Sequence, residues 1–363
     1  MEDKVVKELS RLVSIKSESG HEEEILTYLE ARLKALGFPT FRQEVVEDRF
    51  NLIWTHSLRP KLLLSAHVDT VHDFGNADLY FPRVEEGRLY GRGSVDNKAG
   101  IAAILLALEL AREKGVKAAN FGVAFTVDEE QKGLGSKALP ELLHAEGAVV
   151  LEPTELMICA VEAGSIEVRI EITGTPAHGG DFESGENPIM RAISLVEKFK
   201  KLDFIQGHHP LIGKSGFNIM EIKGGESALV VPDRCELFVD FRVLPGQNME
   251  EVEGELIRLF EREEVKTEFV EVDPPFELRE EEQIVQLIKR AYERALGEAP
   301  RVGGMRSWTD AGNFVYGGIP SVVFGPGKLA VAHTPWENVE VSEVVAAVKI
   351  LYQLILEVSD FPH

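Results

Sequence analysis

Near the start of the chain, apolar residues recur every three or four positions, as they do on one face of an amphipathic helix. The segment VVKELSRLVSI places Val5, Leu9 and Leu12 at this spacing. The segment HEEEILTYLEARLKALG repeats the spacing and ends at Gly37, a residue type that commonly terminates helices. Two helices are therefore predicted before the first strand.

Short apolar segments then alternate with helical patterns. After FRQEVV and NLIWT come the apolar segments KLLLSAH, FGVAFTV and GAVVLEP. The helical patterns AGIAAILLALELAREKG and GSKALPELLHAE separate these three segments. Apolar strands that alternate with helices are typical of a mostly parallel sheet with both faces covered. We therefore predict an α/β domain in which helices sandwich the sheet.

The pattern changes near residue 160, where GSIEVRIEITG alternates apolar and polar residues. Such alternation is typical of an antiparallel strand with one exposed face. Further strand patterns (FNIMEIKGG, RCELFVDFRVLP and VKTEFVEVDPP) and two helical patterns follow, and the α/β pattern resumes at EEQIVQLIKRAYERAL. We predict an α/β domain formed by residues 1–161 and 274–363, interrupted at residues 162–273 by an inserted α+β domain with an antiparallel sheet.

The composition limits the partners and the location of the protein. The 363 residues favour two domains, and 39 basic against 61 acidic residues give a formal net charge of −22. This excess of negative charge argues against binding to nucleic acid or to acidic membranes. No apolar stretch approaches the roughly 20 residues of a membrane span, and the first residues do not resemble a signal peptide. Cys159 and Cys235 lie in apolar segments and are expected to be buried, reduced thiols, so a cytoplasmic protein is predicted.

Imidazole and carboxylate side chains follow nearly every strand of the predicted parallel sheet. They are His67 and Asp69 after KLLLSA, Asp96 before the long helix, Asp128, Glu129 and Glu130 after FGVAFTV, Glu152 after GAVVL, and His333 after PSVVFG. In open α/β sheets, ligands bind beyond the carboxyl ends of the strands. These side chains are therefore expected to lie close together at one edge of the sheet.

Taken singly, these residues have simpler explanations as a core histidine (His67), a helix N-cap (Asp96), a helix N-terminus (Glu129 and Glu130), a turn (Glu152) and a solvated loop (His333). Their convergence favours a metal site, because imidazole and carboxylate groups are the ligands that Zn²⁺ takes. Five such groups exceed the three protein ligands of a single catalytic zinc, and they suit two metals that share a carboxylate in a hydrolase. His72 and Asp73 are predicted to lie in a solvated loop.

Eight motifs, ordered along nearly the whole chain, together resemble the two-zinc amidohydrolase and exopeptidase family of acetylornithine deacetylase, succinyl-diaminopimelate desuccinylase, aminoacylase and carboxypeptidase G. They are SAHVDTV, LYGRGSVDNKAGIAA, FTVDEEQKGLGS, LEPTE, GTPAHGG, VVPDRCELFVDFRVLPG, SWTDAGNF and FGPGKLAVAHTPWENVEV. Each motif alone is weak, whereas the ordered set is highly specific. The resemblance implies a zinc-exopeptidase-like catalytic domain, and it implies that the insert is a lid that also forms a homodimer.

The resemblance also implies that five residues hold two divalent metal ions, which are zinc ions that cobalt can replace. Asp96 would bridge the two ions. His67 and Glu152 would complete one metal site. Glu130 and His333 would complete the other.

Three further features of the site follow from the same resemblance. Glu129 would be the general base. Asp69 would orient His67 by accepting the N–H that does not face the metal. A cis peptide bond is expected between Asp96 and Asn97.

The resemblance implies roles for two residues of the predicted lid. His178, in GTPAHGG, would reach across the dimer to stabilise the tetrahedral oxyanion; without the resemblance it would be taken for a loop histidine among glycines. Arg242, in FVDFRVLPG, would bind the carboxylate of the substrate; an ion pair with an acid on a neighbouring strand is an almost equal alternative.

The implied activity is hydrolysis of the amide bond of a small N-acyl amino acid by a hydroxide that bridges the metals. The favoured function is that of an acetylornithine deacetylase or an acyl-lysine deacylase, in arginine or lysine biosynthesis. Two alternatives stay open: a dipeptidase or carboxypeptidase of the same family, and a non-catalytic binding protein on the same scaffold.

Some positions depart from the pattern of individual family members. Ala163 stands where succinyl-diaminopimelate enzymes carry a basic residue, which argues against a succinyl substrate. Glu162 beside it either favours a substrate with a free amino group or is an exposed residue at a strand end. Leu229 replaces an asparagine before VVPD, and Gly312-Asn313 follow TDA where many members have arginine. The substrate therefore cannot be copied from any one member.

Overall fold

The computed structural model describes residues 1–116 and 120–359, which divide into two compact units. The first unit comprises Met1–Ala160, Leu278–Gly303 and the chain from Thr309 onward, and the second comprises Val161–Glu277 and Gly304–Trp308.

The helices are α1 (Glu2–Val13), α2 (Glu23–Ala35), α3 (Lys98–Glu113), α4 (Leu134–Leu142), α5 (Pro188–Phe199), α6 (Met249–Arg262), α7 (Gln283–Leu296), α8 (Asp310–Tyr316) and α9 (Val341–Glu357). The strands are β1 (Phe41–Val46), β2 (Arg49–Thr55), β3 (Leu62–His67), β4 (Arg83–Glu85), β5 (Arg88–Tyr90), β6 (Phe121–Thr126), β7 (Ala148–Leu151), β8 (Ile158–Glu162), β9 (Gly164–Thr173), β10 (Ala177–His178), β11 (His208–His209), β12 (Gly213–Lys214), β13 (Gly216–Gly224), β14 (Val230–Val231), β15 (Arg234–Val243), β16 (Lys266–Asp273), β17 (Phe276–Glu277), β18 (Val302–Met305), β19 (Ser321–Phe324) and β20 (Asn338–Glu340).

The sheet of the first unit has the strand order β1-β2-β6-β3-β7-β19-β8. Its centre is parallel, because β3 pairs in parallel with β6 and β7, and β19 pairs in parallel with β7. The central strands are buried along their whole length, which explains their continuous apolar sequences. The predicted mostly parallel sheet is confirmed.

Helices cover this sheet. Helix α3 packs against α1 and α9, α9 also packs against α7, and α4 packs against α8. Most of α3 is buried, which explains why its first turns are apolar on all sides. Thr309 caps α8, since its hydroxyl accepts the N–H of Ala311 at 3.1 Å.

The second unit contains a four-stranded antiparallel sheet in the order β13-β15-β9-β16. Ile166, Val168 and Ile170 of β9 belong to the core of this unit, whereas Arg169 between them is exposed. Helix α5 packs on this sheet, and the side chain of Asn187 caps its N-terminus. The predicted α+β architecture with an antiparallel sheet is confirmed.

The unit boundaries differ from the predicted domain boundaries in three places. Val161, residues 274–277 and residues 304–308 belong to the second unit, although the sequence pattern grouped them with the α/β domain. The reason is strand pairing: Phe276 pairs with Glu162, and the N–H of Ala163 donates to the carbonyl of Met305 at 3.0 Å. Both pairings attach short segments to the chain just after residue 160.

In the part of the chain that the structure describes, no helix is both long enough and apolar enough to cross a membrane. Cys159 and Cys235 are both buried, and no disulfide joins them.

Candidate metal centre

The parallel register of the central strands brings their carboxyl ends together. His67, the last residue of β3, lies beside Thr126, the last residue of β6. Phe324, the last residue of β19, lies beside Leu151, the last residue of β7. The residues that follow these strands therefore begin at the same edge of the sheet.

Asp96 lies at the centre of the acidic and histidine residues at this edge. Its Oδ1 is 3.0 Å from His67 Nε2, and its Oδ2 is 3.3 Å from His333 Nε2. The predicted cis peptide bond between Asp96 and Asn97 is present. The Asn97 side chain donates to the carbonyl of Leu151, which ties this turn to the end of β7.

The side chains form two groups of potential metal ligands that share Asp96. In the first group, His67 Nε2 also lies 3.5 Å from Glu152 Oε1. In the second group, His333 Nε2 lies 3.0 Å from Glu130 Oε2. Within each group, one ligand atom per residue lies within 4.8 Å of the others. The ligand roles of these five residues remain predictions.

Glu129 belongs to a different group, which it forms with His67 and Glu130. Burial raises the pKa of the Glu129 carboxyl well above its ordinary value, and the negative charges of Glu152 and Glu130 raise it further. Glu129 is half-buried, and its raised pKa and its position next to potential metal ligands make it a candidate general base.

The electrostatics of the cluster show an excess of negative charge. Burial, and then the charge of Asp96, raise the pKa of Glu152 well above its ordinary value. Burial alone would lower the pKa of His333, but hydrogen bonds to Asp96 and Glu130 raise it to about 11. The carboxylates therefore repel one another and attract cationic groups. Divalent cations would relieve this repulsion, and the mixture of imidazole and carboxylate donors fits zinc.

Asp69 makes more contacts than the predicted one with His67. Nδ1 of His67 is 3.0 Å from the backbone carbonyl of Asp69 and 3.5 Å from its carboxylate. The carboxylate accepts the backbone N–H groups of Glu129 and Glu130, each at 3.1 Å, and the hydroxyl of Ser19 at 2.6 Å. Asp69 thus contacts His67 through its backbone while its side chain holds the turn that carries the two glutamates.

The turn of Glu129 and Glu130 is held from its other side by Asp128. Its backbone carbonyl accepts the N–H groups of Lys132 and Gly133, at 3.1 and 2.7 Å. Its carboxylate forms an ion pair with Arg49 at 2.7 Å. Sequence patterns give no signal for Arg49, since nothing in its spacing links it to the turn.

Strand-end reasoning does not single out several other buried ionisable residues of this unit, three of which concern the site. Arg92 and Glu337 form an ion pair, and the carboxylate of Asp310 accepts the Thr126 hydroxyl at 2.6 Å. Burial raises the pKa of Asp310 to about 6. All three lie inside the motifs of the resemblance, which is the one signal that could have identified them.

The structure places His178 and Arg242 in the second unit. His178 is exposed, and its Nδ1 accepts the N–H of Gly180 at 3.0 Å. Arg242 forms an ion pair with Asp240 at 2.7 Å. This is the alternative raised from the sequence, except that the acid lies on the same strand, β15. The catalytic role of His178 and the substrate-binding role of Arg242 remain predictions.

Two of the residues that depart from the family pattern, and the loop after His67, also have defined positions. Glu162 is buried in β8, so the interpretation of it as an exposed strand-end residue is wrong. Leu229 is 80% exposed and has a φ of 68°. Asp73 forms an ion pair with Lys16 at 3.1 Å, which holds a loop that was expected to be only solvated.

Comparison with known proteins identifies the family. Residues 63–357 match the profile described as peptidase family M20/M25/M40. The acetylornithine deacetylase of Myxococcus xanthus is 30% identical over 91% of this chain and 91% of its own length. The succinyl-diaminopimelate desuccinylase of Corynebacterium glutamicum is 29% identical over 96% of this chain and 95% of its own length.

The fold is also found in solved structures. A tripeptidase from Staphylococcus aureus superimposes with a TM-score of 0.82 at 23% identity, covering 99% of this chain and 98% of its own. The resemblance inferred from the ordered motifs and the predicted fold class are both confirmed. The chain therefore belongs to peptidase family M20/M25/M40 and is a metal-dependent hydrolase.

Proposed function

We propose that the protein hydrolyses the amide bond of a small N-acyl amino acid, using two divalent metal ions, with zinc as the first choice and cobalt as a substitute. The observation that carries this proposal is the position of Asp96 in both groups of potential ligands. One carboxylate with an oxygen for each of two ions is the arrangement of two-metal hydrolases. The proposed ligands are His67, Asp96, Glu130, Glu152 and His333.

The chemistry divides between the metals and the residues around them. When bound, the metals would polarise the scissile carbonyl and lower the pKa of water. Glu129 removes a proton from the attacking water and later gives it to the leaving nitrogen, which is a poor leaving group unless protonated. His178 reaches across the proposed dimer and donates to the developing oxyanion in the site of the other protomer, where a well-placed donor contributes on the order of 3–4 kcal/mol. Arg242 binds the carboxylate of the substrate.

The proposed substrate class rests on the similarity of this chain to proteins of named activity. The relative at 30% identity is an acetylornithine deacetylase, which favours an acyl-ornithine or acyl-lysine substrate and a role in arginine or lysine biosynthesis. The tripeptidase with the similar fold keeps a peptidase as the second candidate. A non-catalytic role is the weakest candidate, because every proposed ligand and the proposed base are present.

A substrate panel tests this choice. N-acetylornithine, N-acetyl-lysine, N-succinyl-diaminopimelate and a set of dipeptides would be incubated with enzyme and Zn²⁺ or Co²⁺, and the products quantified by liquid chromatography. We expect the highest kcat/KM for an N-acetyl amino acid. Faster cleavage of dipeptides than of every N-acyl amino acid would favour the peptidase instead.

We also propose that the protein forms a homodimer through its second unit. Strand β13 lies at the edge of the antiparallel sheet, where backbone groups are available to a second strand. Met220 and Ile222 of this strand are exposed, as are Met190 and Ile193 of α5. Exposed apolar side chains beside an open sheet edge are typical of a protein interface.

The buried cysteines and the net charge support a cytoplasmic location.

Light scattering coupled to size exclusion tests the dimer. The wild-type protein is expected at twice the chain mass of 40.3 kDa. Ile222→Lys is expected to elute as a monomer, because it places a charge in the apolar contact. Val272→Lys, on the opposite edge strand β16, is the matched control and is expected to remain dimeric. A monomeric wild-type protein, or a dimeric Ile222→Lys variant, would contradict the proposal.

A further inference from the structure

A buried ion pair joins Arg92 and Glu337 in the first unit. Arg92 Nη1 is 2.5 Å from Glu337 Oε2, and each side chain is only 1% exposed. Removing two charges from water is costly, and apolar residues of similar volume are often at least as stabilising as a buried pair. The pair therefore needs a reason other than stability, and the remaining contacts of its two members supply one.

Glu337 holds the backbone that leads into Asp96. Its Oε1 accepts the N–H of Val95 at 3.1 Å and the N–H of Asp96 itself at 3.2 Å. Its backbone carbonyl accepts the N–H of Gly91 at 3.1 Å. One residue thus binds both ends of the segment 91–96, which presents Asp96 to the cluster.

The pair also connects Asp96 to the loops of two other potential ligands. Glu337 lies four residues after His333, in the same connection between β19 and β20. Arg92 Nη2 donates to the backbone carbonyl of His72 at 3.2 Å, in the loop that follows His67. Three segments that are distant in sequence therefore meet at one pair of side chains.

We propose that Arg92 and Glu337 are positioning residues that fix the relative placement of Asp96, His333 and His67, and so set the affinity of the site for a divalent metal. The inference rests on the proposed function, because it assumes that these residues bind metal. Partners outside the ligand shell orient metal ligands, and their loss typically weakens metal binding by about 10- to 100-fold.

The chemistry of Glu337 makes glutamine a sharp test of this proposal. The carboxylate accepts from backbone N–H groups on one oxygen and from Arg92 on the other. A glutamine offers one oxygen and one NH₂ group. In either orientation its NH₂ faces donors, either those of Arg92 or those of Val95 and Asp96. Glu337→Gln therefore preserves the shape of the side chain but loses either the contact with Arg92 or the contacts with the N–H groups of Val95 and Asp96.

The experiment measures Zn²⁺ binding to the purified full chain by competition with a chromophoric chelator. We expect Glu337→Gln to raise the dissociation constant at least 10-fold. In the metal-free protein, we also expect faster amide hydrogen exchange in residues 91–97 than in the wild type. The matched control is Glu8→Gln, which disrupts another largely buried pair of this unit, with Arg32, and should leave Zn²⁺ affinity within threefold.

Each outcome decides a specific point. If the wild-type protein binds no Zn²⁺ or Co²⁺, the proposed function fails. If the wild type binds but folded Glu337→Gln binds within threefold of it, or shows unchanged exchange in residues 91–97, the positioning role is overturned and the proposed function stands. Should Glu337→Gln not fold, Arg92→Lys decides. It keeps the charge but replaces the two nitrogens that bind Glu337 and the His72 carbonyl with a single nitrogen. An affinity within twofold of wild type would overturn the proposal.

Discussion

Replacing Glu129 with alanine is expected to lower kcat by on the order of 10²–10⁴-fold while leaving the bound metal at the wild-type level. Glu129 belongs to neither of the two groups that share Asp96, so its loss leaves both groups complete. Its pKa is raised, first by burial, which makes its carboxylate a stronger proton acceptor than an exposed glutamate. Steady-state kinetics on the best substrate of the panel and metal analysis by mass spectrometry measure the two quantities.

Glu130→Ala is the matched variant, because it removes a neighbouring carboxylate from the same turn. Glu130 lies 3.0 Å from His333 and belongs to the second group of potential ligands. We expect this variant to lose metal as well as activity. A Glu129→Ala enzyme with near-normal kcat would defeat the assignment of Glu129 as the base, and loss of metal from it would make Glu129 a ligand.

Asp96→Asn is expected to reduce metal binding at both positions and to remove measurable activity. The two carboxylate oxygens of Asp96 face different histidines, at 3.0 and 3.3 Å. Asparagine is neutral and has one oxygen, so it offers neither the charge nor the second donor that two cations require. Isothermal titration calorimetry with Zn²⁺ gives the number of ions that each protein binds.

The control for Asp96→Asn is Asp73→Asn, the same substitution in a loop of the same unit. Asp73 pairs with Lys16 and belongs to none of the groups of potential ligands. We expect it to keep the wild-type metal content and activity. Wild-type stoichiometry in Asp96→Asn, with a melting temperature near that of the control, would exclude a shared carboxylate.

The central sheet could be predicted from the sequence because burial on both faces forces continuous apolar strands. Once a parallel sheet is expected, the residues just after its strands are expected to lie close together, which identified His67 and Glu152 as candidates; His333 lies nine residues after β19, so the pattern fixes its place less closely. The shared position of Asp96 does not follow from it. Asp96 precedes a helix rather than following a strand; the sequence pattern included it among the candidates, but its role as the shared ligand came from the family motifs.

The contacts around the site were beyond sequence reasoning for a physical reason. Arg92 and Glu337 are 245 residues apart, and no local periodicity relates residues at that distance. The carboxylate of Asp69 accepts backbone N–H groups, and these contacts cannot be predicted from residue types because nearly every residue has a backbone N–H group. The place of residues 304–308 was not predicted because β18 pairs with β8, and residues so distant in sequence share no local pattern.

The two ends of the inserted segment are neighbours in one pair of strands. Val161 of β8 pairs with Glu277 of β17, and Glu162 pairs with Phe276. The chain thus leaves the pair of strands β8 and β17 and returns to it at adjacent points. A short peptide could therefore replace the inserted segment, and the segment could be exchanged as one piece, a cassette. New specificities could then evolve by replacing or reshaping the cassette, without rebuilding the scaffold that holds the histidines and carboxylates.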